Sequence, residues 1–151
     1  MLRAMGSFST ITGLAALGGL LPFLAGLALA LFPDLSPIDR VIYERAMLGY
    51  GAAILSFLGG VRWGIRLGGG AGSELTYIAG ILGSALGFFT LLMPLPIGLA
   101  MLIAGFALHG FWDIWSGYRG ALPADYARLR AIMTGIVCAV LAAILVVEII
   151  R

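Results

Sequence analysis

Residues 54–66 read ILSFLGGVRWGIR. An apolar run closes on two arginines one helical turn apart, Arg62 and Arg66, with Trp63 between them and Gly59, Gly60 and Gly64 close by. An arginine that enters a membrane-length segment is costly unless it meets a partner or water. The stretch therefore predicts a membrane helix in which Arg62 is paired or opens onto solvent.

The rest of the chain agrees with that reading. Of 151 residues, 62% are hydrophobic and 11% are charged, against about 25% charged in soluble domains. Mean hydropathy is +1.10. A soluble core of this length could not hide so much apolar surface. The chain reads as an all-α membrane protein, one integral domain over 1–151. All nine basic residues are arginine, and Lys, Asn and Gln are absent. Without side-chain amides, helix packing falls to small residues, Ser/Thr and the few charges. A net charge of +2, scattered along the chain, is too small to suggest a nucleic-acid partner, and none is expected. Cys138 lies alone in an apolar run, so it reads as a small buried side chain.

A bilayer core needs about 20 apolar residues per helix. Five segments qualify, at about 11–32, 37–67, 75–93, 96–116 and 123–150, predicting five transmembrane helices in a compact bundle. The first is longer than the roughly 7–15-residue core of a secretory signal, and reads as a retained helix kinked at Pro22. Ser36 as N-cap, Pro37 at the first helical position and Asp39 at the third mark the start of the second. Leu67 to Ser73 is a glycine-rich connector that lacks the lysine and strand-turn-helix setting of a phosphate loop. Met93-Pro-Leu-Pro96 allows only a tight hairpin, so the flanking helices are antiparallel neighbours. Small-residue stripes are expected at Gly80, Gly83, Ser84 and Gly87 on the third segment, and at Gly49, Ala53, Gly60 and Gly64 on the second. Bundle packing is their plainer role and a homo-oligomer contact the alternative.

With the N-terminus inside, six arginines lie near inner helix ends and three near outer ones, which predicts a cytoplasmic N-terminus and a periplasmic C-terminus. Arg62, Trp63, Arg66, His109, Trp112 and Asp113 then gather at one membrane face, with Tyr126, Arg128 and Arg130 interfacial beside them. His109 and Asp113 share a helix face at i,i+4, the spacing of a proton relay. The plainer reading is a polar helix end at the membrane surface, with the tryptophans in the aromatic belt. Two arginines on one apolar face repel, so one should be neutralised. Glu74 follows the glycine loop and can stay in water, whereas Asp113 is fixed on a helix; an Arg62–Asp113 pair is expected.

Residues 50–64, YGAAILSFLGGVRWG, together with Leu20-Leu-Pro-Phe23 and LPADYARLRAIMT at 122–134, resemble the family known as domain of unknown function 3429. The resemblance spans nearly the whole chain. It implies a small multi-helix protein of bacterial inner membranes and mitochondria, and no established activity, cofactor or catalytic residue.

No constellation for catalysis, no metal ligand set and no cofactor motif stands in the sequence. The first expectation is a non-catalytic protein of the bacterial inner membrane, an accessory or assembly subunit of a larger complex such as a respiratory one, acting through lipids and a protein partner. The alternative is a small proton-linked or solute transporter using Arg62, His109 and Asp113. An intramembrane enzyme on lipid or quinone substrates ranks last.

Overall fold

The computed structural model describes residues 10–70 and 74–151. The helices are α1 (Thr10–Gly18), α2 (Leu21–Leu31), α3 (Arg40–Leu67), α4 (Leu75–Thr90), α5 (Leu95–Tyr118) and α6 (Ala124–Ile150), with a single 3-10 turn, Pro33–Leu35, after α2. α1 and α2 are two pieces of one apolar segment, so the described chain makes five passes along the bundle. Four are long and apolar enough to cross a membrane: Gly13–Leu31, α3, α5 and α6. α4 has 16 residues and falls short of the expected 75–93.

The first segment breaks at Gly19–Leu20, just ahead of Pro22 rather than at it. A proline lacks the N–H that would bond one turn back, and its ring crowds that turn, so the damage appears upstream. The Tyr50 hydroxyl donates to the Gly19 carbonyl at 2.8 Å and gives the break a partner. The α3 cap also differs from expectation. Asp39 caps the helix, its carboxylate accepting from Val41 N–H at 2.8 Å, while Ser36 closes a local turn with Ile38. A carboxylate at the N-cap satisfies a free N–H and faces the positive end of the helix dipole.

α4 ends early because Pro94 follows. The residue before a proline disfavours the α conformation. Leu91, Leu92 and Met93 accordingly fold back through i→i−3 bonds to Phe88, Phe89 and Thr90. Both α3 and α5 end in glycine caps. Gly69 (φ 83°) and Gly120 (φ 70°) take the left-handed position. Gly70 N–H then bonds Ile65 O, and Ala121 N–H bonds Ser116 O, each at 2.9 Å.

Side-chain links show that successive passes alternate in direction. Trp63 Nε1 donates to Tyr77 O at 3.0 Å where α3 meets α4. At the opposite end, Arg45 donates to Leu91 O, and Arg40 and Arg151 flank the buried carboxylate of Glu148. Between the ends runs one core: Phe23, Leu48, Leu55, Leu99, Leu102, Phe106, Leu141 and Ile144 are all at most 2% exposed. Phe23 stacks edge-on against Tyr50 and Phe106, at 5.1 and 5.9 Å between ring centres.

α3 and α4 pack at backbone distance. A Cβ on Gly59 would stand 2.5 Å from the Gly80 carbonyl oxygen, and one on Gly87 3.1 Å from Ala52 Cα. Of the stripe expected on the third segment, Gly80, Gly83 and Gly87 are therefore internal, while Ser84 is exposed. The stripe expected on the second is not: Gly49, Gly60 and Gly64 have open space around them, and the face turned inward is Gly51, Ala52, Leu55 and Gly59.

Candidate ionic site at one end of the bundle

Three charged side chains meet where α3, α5 and α6 converge. Asp113 is 3% exposed, and Arg62 and Arg130 are each 8% exposed. Arg62 Nη2 lies 2.6 Å from Asp113 Oδ1, and Arg130 Nε donates to Asp113 Oδ2 at 2.7 Å. Arg62 Nη1 also donates to Ser116 Oγ at 3.0 Å, and its guanidinium sits 5.7 Å from the centre of the Trp112 ring. The pair expected between Arg62 and Asp113 is thus present, as two-thirds of a triad that ties three helices together.

Each charge stands where its helix's buried stripe leads. On α3 the stripe runs Leu48, Leu55, Leu58, Arg62; on α5 it runs Leu102, Phe106, Asp113; on α6 it runs Ala127, Arg130, Val137, Leu141. Helical spacing by threes and fours puts each set on one face. The bundle buries these charges because they continue its core, and they are tolerated there because each finds an opposite charge.

Arg130 corrects the sequence reading, which put it at the interface with Tyr126 and Arg128. Arg128 is exposed, and Tyr126 half-buried, but Arg130 faces inward. Two residues apart on a helix point to different sides, and only Arg130 falls on the stripe. Its phase with Val137 and Leu141 was the signal to read.

His109 and Asp113 share a face yet form no ion pair or hydrogen bond with one another, since Asp113 spends both oxygens on arginines. His109 is half-buried and packs against α4, where a Cβ on Gly83 would collide with its imidazole. Replacing His109 by alanine is expected to leave the protein inserted and folded, with melting lowered modestly by the space left beside Gly83; loss of the protein from membranes in an expression assay contradicts this.

The remaining residues of the expected cluster lie around the triad. Trp63 packs edge-on with Tyr77 at 5.0 Å. Arg66 comes within 3.7 Å of Glu74, whose side chain is 85% exposed. An open cavity of about 440 Å³ is lined by Arg62, Thr76, Trp112, Trp115, Ser116 and Arg119, and Arg119 covers the Trp115 ring at 4.8 Å. Cys138 is half-buried, its Sγ 3.8 Å from the Ile103 carbonyl oxygen. Among the described residues, no group of three or more His, Cys, Asp or Glu is placed to hold a metal.

Apolar helices of membrane-spanning length, a shared core and a buried ion triad at one end define a multi-pass membrane helix bundle. The chain belongs to the family described as "protein of unknown function (DUF3429)", whose pattern matches residues 9–146. No curated protein and no solved structure matches it.

Proposed function

We propose that this protein is a non-catalytic subunit of the bacterial inner membrane, serving a larger membrane complex in an accessory or assembly role. The observation that carries the reading is how the ionisable groups are used. Asp113 engages Arg62 and Arg130 with both oxygens and thereby joins three helices, so the triad acts as a strut. The surface around it is aromatic and apolar, with Phe111, Trp115 and Tyr118 at least half exposed. Large aromatic side chains at a membrane interface suit lipid head groups and partner helices.

The test is extraction in a mild detergent followed by native electrophoresis and mass spectrometry. The expected result is co-migration with a defined set of membrane proteins. A lone monodisperse monomer, recovered under conditions that keep known complexes intact, overturns the reading. Reconstitution in proteoliposomes should give no proton or solute flux; flux that Asp113→Asn abolishes would favour transport instead.

In this role the N-terminus is cytoplasmic and the C-terminus periplasmic, from the arginine bias and an odd number of passes. Reporter fusions at the two termini are expected to score on opposite sides. Both reporting from the cytoplasm would mean that one pass fails to cross.

A further inference from the structure

A second cavity of about 350 Å³ is lined by Arg130 and not by Arg62. Its walls are apolar and come from every long pass except α4: Ala16, Phe23, Leu58, Phe106 and Met133 all contribute. Its polar lining comes from Tyr126, Arg130 and Thr134, which follow one another at i, i+4 and i+8 along α6. The volume falls in the range of sites that enclose small ligands, about 300–1,000 Å³. The helix that borders it on one side, α1, turns Leu14 and Leu17 outward, each more than half exposed.

The electrostatics of the triad are incomplete. Two arginines and one aspartate leave a formal charge of +1 at a place where all three residues are more than 90% buried. Glu74 points to solvent beside Arg66, and Asp125 is exposed, so neither balances it. Hydrogen bonding is incomplete at the same place. Arg130 Nη2 is buried without a hydrogen-bond partner among the described residues, and its side chain lines the cavity. An uncompensated charge in a low-dielectric setting is costly, and an anion placed beside it removes much of that cost.

We propose that this cavity binds an anionic amphiphile, with an oxygen-bearing head group at Arg130 and its apolar chain among Phe23, Leu58, Phe106 and Met133. The ligand brings the negative charge that the triad lacks. The chemistry is shared by a phospholipid phosphate and a free fatty-acid carboxylate. The site does not depend on a protein partner, so its failure would leave the accessory reading intact.

Thermal unfolding of the purified full chain in a neutral detergent tests this, with oleate, dioleoylphosphatidylglycerol and dioleoylphosphatidylcholine as probes. A ligand held at 100 times its Kd shifts the folding equilibrium about 100-fold, which raises Tm by about 5 °C or more. At least one anionic probe is expected to do so and the zwitterionic lipid is not. Stabilisation by oleate alone assigns the site to a free fatty acid, and by phosphatidylglycerol alone to a phospholipid head. Ala16→Phe fills the cavity without touching the triad and should abolish the shift. Val61→Phe replaces it if that variant does not fold. A photoreactive oleate or phosphatidylglycerol should also label α6 between Tyr126 and Val137. No stabilisation by either anion, equal stabilisation by phosphatidylcholine, a shift that survives filling, or label confined to residues outside the cavity overturns the proposal.

Discussion

Replacing Asp113 with alanine is expected to lower stability by about 3–5 kcal/mol, the usual cost of removing one side of a buried ion pair. The loss falls on two partners at once, because both carboxylate oxygens are engaged, at 2.6 and 2.7 Å. Arg62 and Arg130 are then left together as unpaired buried cations that repel. Arg62→Ala should cost less, since Asp113 keeps Arg130. The Arg62→Ala/Asp113→Ala double variant should be no worse than Asp113→Ala alone, because it removes one of the two stranded cations. Thermal unfolding in detergent reads all three. Additive losses would mean that Arg62 and Asp113 do not act as a pair.

The second large effect is expected at Gly59. Gly59→Leu forces a side chain against the Gly80 backbone, where a Cβ alone would already stand 2.5 Å from the carbonyl oxygen and 3.0 Å from Cα. A backbone atom cannot rotate out of the way, so α3 and α4 must separate. Overpacking costs about 1–3 kcal/mol where side chains can adjust, and this site belongs at or above the top of that range. The separation would also pull Gly87 from Ala52 and Trp63 from Tyr77. The adjacent Gly60→Leu is the control, since nothing lies within 4 Å of a Cβ there. Membrane accumulation and melting should fall sharply for the first and stay near wild type for the second. Equal behaviour would place the helix contact elsewhere.

These two sites also mark what was legible in the sequence. The five apolar segments, the tight turn at Pro94 and the Arg62–Asp113 pair follow from length, proline and charge. The inward face of α3 does not. In water the outer face of a helix is polar, and the period of polarity tells inside from outside. In lipid both faces are apolar, so Gly49, Ala53, Gly60 and Gly64 look as fit for packing as Gly51, Ala52, Leu55 and Gly59. Only a charge breaks the degeneracy. Arg62 lies in phase with Leu55 and Gly59, so an arginine that must be paired points the way inward, and Arg130 does the same for α6 with Val137 and Leu141. Counting Arg130 with its neighbour Arg128 as interfacial missed that phase. The absence of a His109–Asp113 bond could not be read from i,i+4 spacing, because it depends on two arginines brought from other helices.

The short fourth helix shapes the lipid around the protein. Sixteen residues at 1.5 Å each span about 24 Å, some 6 Å less than a typical hydrocarbon core of about 30 Å. α6, with 27 residues, reaches about 40 Å on the other flank. A bilayer of that thickness would have to thin beside Ile78, Ile81, Leu82 and Phe88, which are exposed on α4, while α6 would meet it by tilting. At a fraction of a kcal/mol per ångström of mismatch, the deformation beside α4 stores on the order of 1–3 kcal/mol. A neighbouring protein that covered this flank would release that energy, so the thinned side is where a companion in the membrane gains most by settling.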